Sequence, residues 1–245
     1  MMITGSMFDP SKSILILTGA GISAESGLAT FRDAGGLWEG HRPEDVATPE
    51  AFARDPPMVH RFYNARRRQL HDPTIEPNAA HKALVALEKA WPAGIVLVTQ
   101  NVDNLHKRAG SQSLLPMHGE LDRVVCTACG QERQWLDDLW TDTVCPNCQA
   151  VGRLRPSIVW FGEIPRYLDE IEAAIERCGL FMAIGTSGLV YPAAGFVQGV
   201  RASGDAHTVE INLERSAVAS AFAEHILGPA AIETPKFVDR ILAAL

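Results

Sequence analysis

Ile14-Leu15-Ile16-Leu17-Thr18-Gly19-Ala20-Gly21-Ile22-Ser23-Ala24 decides how this chain is read. Four consecutive apolar residues read as a buried strand, and a G-x-G-x-x-A loop follows it directly. The first glycine permits a tight turn. The second lets the backbone come close to a pyrophosphate, and small Ala24 lets the next helix pack near the strand. A helix N-terminus there would offer unpaired N–H groups to phosphate. Alone the motif is weak; its place after a strand gives it weight.

Three further apolar runs read as strands: Ile95–Val98, Leu180–Ile184 and Thr208–Ile211. Each runs into a polar or glycine cluster. These are Thr99-Gln100-Asn101-Val102-Asp103, Gly185-Thr186-Ser187-Gly188 and Asn212-Leu213-Glu214. Helical patterns separate the strands. One starts at Asn78, an N-cap residue, with Ala80, Ala83, Leu84, Leu87 and Trp91 on one face. Others cover Leu168 to Cys178, Pro192 to Ser203 and Pro235 to Leu245. Strands alternating with helices predict an α/β fold, a parallel sheet covered on both faces. All four strand ends then open on one edge, where such sheets bind ligands. Turns rich in Gly, Ser and Asn are common, but four of four favours a site.

Two stretches break the alternation. Residues 38–78 hold six prolines and no strand-like run, and residues 119–157 hold four cysteines and little continuous apolar sequence. They are expected to form a smaller second domain, leaving 13–37, 79–118 and 158–245 to the larger one. A hydride-transferring dehydrogenase would need a second strand ending in an acid about 20 residues past the glycines. Glu39, Glu44 and Asp45 lie near that distance without a strand before them, so Glu214 is the better ribose partner.

Cys126-x-x-Cys129 and Cys145-x-x-Cys148 have zinc-ribbon spacing. Four thiolates leave Zn²⁺ no open position, so one structural ion per chain is expected, standing in for a core in this segment. The fifth cysteine, Cys178, reads as core. An odd count of five, without a visible signal peptide, predicts the cytoplasm and metal rather than disulfides. Met7 is expected as the natural start. The chain has 245 residues, 47% apolar and 21% charged, with a net charge of -7. That excludes a disordered chain and argues against nucleic acid or an anionic membrane as the main partner. No apolar run approaches the ~18 residues of a membrane span. A monomer is compatible with this reading.

His118, just before the cysteine segment at the expected seam between domains, is a candidate general base. From position alone an ordinary core or surface histidine is the commoner reading.

Together these motifs resemble the sirtuin family of NAD-dependent protein-lysine deacylases. The residues carrying the resemblance are Gly19–Gly27, Phe31-Arg32, Gln100–Asp103, His118-Gly119, the four cysteines, Phe161-Gly162-Glu163, Gly185-Thr186-Ser187 and Asn212-Leu213-Glu214, in the family's order. The chain has Ala29-Thr30 where many members have Pro-Asp. The resemblance implies a Rossmann-like domain with a smaller domain made of a helical insert and a zinc ribbon. NAD would be a consumed co-substrate and acylated lysines of proteins the partners. Gly19, Ala20, Gly21 and Ala24 would line the pyrophosphate loop, with Gly185, Thr186 and Ser187 at phosphate. Phe31 and Arg32 would lie over the cofactor. Gln100 and Asn101 would hold the nicotinamide-side ribose, Asn101 also ordering the catalytic site, and Asp103 would bind the nicotinamide amide. Asn212, Leu213 and Glu214 would meet the adenosine ribose, and Ala230 the adenine. His118 would be the base, and Val159, Trp160, Phe161 and Gly162 would pair with the substrate peptide. An ADP-ribosyltransferase on the same scaffold is the alternative.

The acyl group is read from a helix over residues 55–70. Val59, Phe62, Tyr63 and Leu70 form one stripe with Arg66 in its middle. Arg67 and Arg68 are expected on a solvated face, whereas a charge on the inward face needs a partner. That partner is either a structural carboxylate or the substrate's. Tyr63 and Arg66, spaced i, i+3, suit one carboxylate. This Tyr-x-x-Arg resembles the sirtuin branch that removes succinyl, malonyl and glutaryl groups, with acetyl-lysine a further substrate.

Overall fold

The computed structural model describes residues 8–29, 40–204 and 206–245. In chain order the elements begin with β1 (Ser13–Thr18), followed by a 3-10 segment, Ala20–Ser26. Then come α1 (Pro43–Val46), α2 (Pro49–Arg54), α3 (Pro56–Leu70), α4 (Ala79–Ala90), β2 (Ile95–Thr99), α5 (Leu105–Ala109) and β3 (Leu114–Pro116). After these follow β4 (Gly119–Cys126), β5 (Glu132–Gln134), β6 (Leu154–Ile158), α6 (Leu168–Arg177) and β7 (Cys178–Ile184). The chain closes with α7 (Phe196–Ser203), β8 (His207–Asn212), β9 (Glu224–Leu227) and α8 (Ala230–Leu242).

Local chemistry starts the helices. Thr48 accepts from the N–H of Ala51, Asp55 from Met58 and Asn78 from Ala80, and Pro49 and Pro56 occupy first turns. Two starts differ from expectation. Cys178 opens β7 instead of ending a helix, and α8 begins at Ala230, five residues before Pro235. Pro235 lies inside that helix, and Pro229 is its N-cap.

Six strands form a parallel sheet in the order β3-β2-β1-β7-β8-β9. Along β1 the side chains alternate between two cores. Ile14 and Ile16 face a layer with Leu84 and Leu87 of α4 and Phe237 and Ile241 of α8. Leu15 and Leu17 face Ile171 and Ala174 of α6 and Val197 and Val200 of α7. Both faces are therefore covered, as the continuous apolar runs require. Among the described residues no named strand lies between β1 and β2, which accounts for the missing dehydrogenase acid. The order reverses between β1 and β7, and the crevice beyond that switch point is the ligand position of such sheets.

A second sheet, β5-β4-β6, is antiparallel and carries the four cysteines. The helices α1, α2 and α3 pack around Val46, Val59, Phe62, Tyr63 and Leu70, joined by Leu121 of β4 and Trp160.

At the switch point the backbones of two loops touch. Gly21 N–H donates to the carbonyl of Gly185 at 2.9 Å. Gly185 has φ +62°, and a Cβ there would fall 2.3 Å from the nitrogen of Ile22. Both the left-handed backbone and the contact demand glycine. Gly185→Ala is expected to lower stability by about 2 kcal/mol or more. The check is the urea-unfolding midpoint; an unchanged midpoint would show that the two loops are not held this tightly.

Candidate active site

The parallel register sets the strand ends level. Thr18 pairs with Thr99 on one side and Ile184 on the other, and Ile184 pairs with Ile211. The residues just beyond these ends then bond across the edge. Gln100 N–H donates to the Thr18 carbonyl at 2.9 Å, and its Nε2 to Thr186 Oγ1 at 2.9 Å. Asn212 Nδ2 donates to the Thr186 carbonyl at 3.1 Å. Asn101 Nδ2 donates to the Gly19 carbonyl at 3.1 Å and to Ser23 Oγ at 3.2 Å, and Ser23 Oγ donates to Asp103 Oδ2 at 2.9 Å. Asn101 is buried. Burial pushes the Asp103 carboxyl above its ordinary value, opposed by bonds from Leu105 N–H and Ser23. Ala24 lies in the 3-10 segment, so the turn after the glycines is tighter than the expected α-helix. Ser187 follows Thr186, and its Oγ accepts from Leu189 N–H at 3.3 Å. Leu213 and Glu214 are exposed beyond β8, and Ala230 is buried at the start of α8. Gly228 N–H, donating to the Asn212 carbonyl, brings that helix start to the same edge. Phe31 and Arg32 lie outside the described residues.

His118 joins this group directly. Its Nδ1 lies 3.0 Å from the Gln100 carbonyl. A carbonyl only accepts, so Nδ1 carries the proton and Nε2 keeps its lone pair when the ring is neutral. Burial holds the imidazole below its ordinary pKa, and the Gln100 carbonyl opposes this. The position of His118 is fixed on both sides. Met117 N–H donates to the Thr99 carbonyl at 3.0 Å, and Val159 N–H to the His118 carbonyl at 2.9 Å. At Gly119, φ +81°, a Cβ would fall 2.1 Å from the Ser157 carbonyl oxygen, so the β4–β6 pairing beside the histidine also needs glycine.

On α3, Tyr63 is fully buried and Arg66 half-buried, its Cζ 4.9 Å from the Phe62 ring centroid. Trp160 Nε1 donates to the Tyr63 hydroxyl oxygen at 2.9 Å. Arg68 is exposed, but Arg67 is not. It is 1% exposed, donating to the carbonyls of Leu121 (3.0 Å) and Asp137 (3.1 Å) and to Asn64 Oδ1 (3.0 Å). The solvated-face expectation for Arg67 fails because α3 buries a second face against β4 and the cysteine module. The Trp160 ring, at 2% exposure, packs behind Tyr63. Val159 to Gly162 is coil and turn. The N–H groups of Val159, Trp160 and Phe161 donate to the His118 carbonyl, Glu163 Oε2 and the Ala47 carbonyl. A peptide pairing here must use the carbonyl side or displace these bonds.

The sulfurs of Cys126, Cys129, Cys145 and Cys148 all lie within 4.8 Å of one another, with Cys126–Cys148 at 3.7 Å and Cys129–Cys145 at 4.0 Å. Tetrahedral zinc with Zn–S near ~2.3 Å implies sulfur separations of about 3.8 Å, whereas a disulfide needs ~2.05 Å. The four thiols therefore form a structural zinc site. Backbone N–H groups aim at them: Gln131 holds the Cys129 thiol down to about 6, and Cys148 N–H lowers that of Cys145.

Sequence reasoning passed over three other buried histidines. His106 Nε2 lies 3.0 Å from Thr18 Oγ1, which donates to Thr99 Oγ1 at 2.9 Å, and Thr99 Oγ1 accepts the N–H of Asn101 at 3.1 Å. The His81 ring packs edge-on to His106 at 4.8 Å. His60 stands edge-on to Phe52. Their only signal is helical spacing, His81 and His60 falling on the apolar faces of α4 and α3.

With this geometry in hand, comparison with known proteins is informative. The Sir2 family model matches residues 19–192. A curated relative from Bdellovibrio bacteriovorus, named NAD-dependent protein deacylase, is 58% identical over 231 residues, spanning 94% of this chain and 97% of its own. A relative from Escherichia coli with the same name is 56% identical, spanning 95% of this chain and 83% of its own. A solved Sir2 homologue in complex with NAD has a TM-score of 0.86 at 36% identity, covering 96% of this chain and 91% of that one.

The buried imidazoles set an acid limit on stability. Burial lowers His60 and His81 to about 4 and His106 to about 3. In the unfolded chain each protonates near ~6.5. Between these values only the unfolded state takes up protons, so acid favours unfolding. Stability from this source is complete above about pH 6.5 and is lost as pH falls towards about 4, at about 1.4 kcal/mol per pH unit for each such histidine. The urea midpoint measured against pH should drop across that window; a flat profile would contradict neutral, buried rings.

Proposed function

The chain belongs to the Sir2 family, and from that premise we propose an NAD-dependent protein-lysine deacylase that favours acidic acyl groups, succinyl and malonyl, and also removes acetyl. The observation that carries the reaction is the short path from His118 to the glycine turn: one residue, Gln100, touches His118 through its carbonyl and Thr18 and Thr186 through its nitrogens.

The donor set fits a dinucleotide. Gly19 to Gly21 offers backbone with almost no side chain, and Thr186, Ser187, Gln100 and Asn101 are uncharged, so they can meet phosphate and ribose without repulsion. Bound NAD would supply an electrophilic ribose carbon for the acyl oxygen, with nicotinamide as the leaving group. Gly19, Ala20, Gly21, Gly185, Thr186 and Ser187 hold the diphosphate. Gln100 and Asn101 orient the nearer ribose, and Asp103 receives the nicotinamide amide. Asn212, Leu213 and Glu214 meet the far ribose, and Ala230 the adenine. His118 takes a ribose hydroxyl proton on Nε2, while the Gln100 carbonyl supports the charge that forms on the ring. Val159, Phe161 and Gly162 frame the peptide backbone.

Tyr63 and Arg66 favour an acidic acyl group. A guanidinium beside an aromatic face, on the helix that carries a buried phenol three residues earlier, matches a carboxylate better than a methyl group. We further assign 38–78 and 119–157 to one small domain and place the protein in the cytoplasm. The reduced four-cysteine site supports that compartment. Among the described residues no helix is long and apolar enough to cross a membrane.

Mass spectrometry of a succinyl-lysine peptide with NAD should show loss of the acyl mass and formation of O-succinyl-ADP-ribose, abolished by His118→Ala. ADP-ribose gained on protein instead would establish a transferase and overturn the reading. Arg66→Met is expected to lower desuccinylation by about tenfold or more while deacetylation falls much less, the loss of a charge-assisted contact. Equal losses would make Arg66 structural. The acid limb of kcat/KM should lie below pH ~6.5, because burial lowers the His118 pKa.

A further inference from the structure

Trp160, Arg155 and Glu163 form a connected unit behind Tyr63. Arg155 and Glu163 make a two-pronged ion pair, Nη1–Oε1 at 2.7 Å and Nη2–Oε2 at 2.9 Å. Glu163 Oε2 also accepts the backbone N–H of Trp160 at 2.8 Å. The Arg155 guanidinium lies 3.5 Å from the centroid of the Trp160 ring, and its Nη2 donates to the Ile158 carbonyl at 2.7 Å. Backbone and ring of Trp160 are thus held by one ion pair. The far edge of the indole donates to the Tyr63 hydroxyl oxygen at 2.9 Å.

An indole N–H is a donor only. Its bond to the phenol oxygen fills an acceptor position there and directs the phenol's own proton away from the tryptophan. A carboxylate accepts only, so a phenol committed as donor suits it; an acetyl methyl makes no use of that proton. We propose that Trp160, clamped by Arg155 and Glu163, is a positioning residue for acyl selectivity, setting Tyr63 as a hydrogen-bond donor to an acidic acyl group. This rests on the acidic-acyl reading above and extends it to residues that touch no acyl group.

The test is steady-state kinetics on succinyl- and acetyl-lysine peptides with the full chain. Trp160→Phe keeps an aromatic ring under Arg155 and removes the donor. It should raise KM for the succinyl peptide about three- to tenfold, the scale of one hydrogen bond, with a far smaller rise for the acetyl peptide. In a Tyr63→Phe background, Trp160→Phe should cost little more, because the phenol it acts through is gone. Glu163→Gln, which weakens the clamp from the surface side, should lower the succinyl-to-acetyl ratio in the same direction and serves if Trp160→Phe does not fold. Equal KM rises on both peptides, an unchanged succinyl KM, or additive losses in the double variant would each overturn the proposal. If the unsubstituted enzyme and Tyr63→Phe show the same acyl preference, the acidic-acyl reading itself has failed. A succinyl preference that needs Tyr63 but ignores Trp160 and Glu163 defeats this inference alone.

Discussion

Thr18 is paired on both sides in one register, with Thr99 and with Ile184, and that pairing governs everything built at the sheet edge. A shift of one residue in either pairing would turn the side chains beyond it to the other face. Because the ends are level, the first residue past each strand can bond to its neighbour. Gln100 spans from Thr18 to Thr186, and Gly21 reaches Gly185. Burial on both faces is what enforces the register. Ile14, Ile16, Leu15 and Leu17 each have a layer to enter, and slippage would exchange the two sets. The apolar packing of β1 is thus the origin of the polar geometry at its end.

The second organising element is α3, which serves two sides at once. One face sends Tyr63 and Arg66 towards Trp160 and Phe62. The other holds the cysteine module: Asn64 Nδ2 donates to the Leu139 carbonyl at 3.0 Å and its Oδ1 accepts Leu139 N–H at 2.9 Å, while Arg67 binds the carbonyls of Leu121 and Asp137. The buried Arg67 cation is stable here because carbonyl dipoles meet it directly. The module supplies those carbonyls only when folded. Its own apolar core is small, Val124, Leu139 and Leu154 beside Cys126 and Cys145, so the metal carries much of its stability. A zinc ion held by the four cysteines would therefore support the orientation of α3.

The sequence made β1, β2 and β7 readable because they are buried on both faces and hence carry continuous apolar runs. It hid β3 and β9, three and four residues long at the sheet edges. In β9, Glu224 and His225 hydrogen-bond to His207 and Glu210, so polar letters there signal cross-strand side-chain bonds rather than a loop. It also hid β4, whose burial alternates along Gly119–Cys126 around a metal-centred core too small to leave an apolar run. The strand-end clusters were legible, since four unrelated chain segments carried the same kind of residue. Arg67 and Trp160 were not. A helix with two buried faces and a ring with its donor turned inward differ from their surface counterparts only in tertiary partners.

His118 shows why the edge suits base chemistry. Desolvation disfavours its charged form, which keeps Nε2 free of a proton near neutral pH but makes the protonated ring costly once formed. The partner on Nδ1 resolves the conflict only in part. A carboxylate there would stabilise the cation strongly and raise the pKa, so more of the base would be protonated at rest. The Gln100 carbonyl fixes the tautomer and eases the charge with a neutral dipole, leaving the ring unprotonated at rest. Since that carbonyl belongs to the residue bridging Thr18 and Thr186, the orientation of His118 and the placement of the loops after β1 and β7 are set by the same backbone segment.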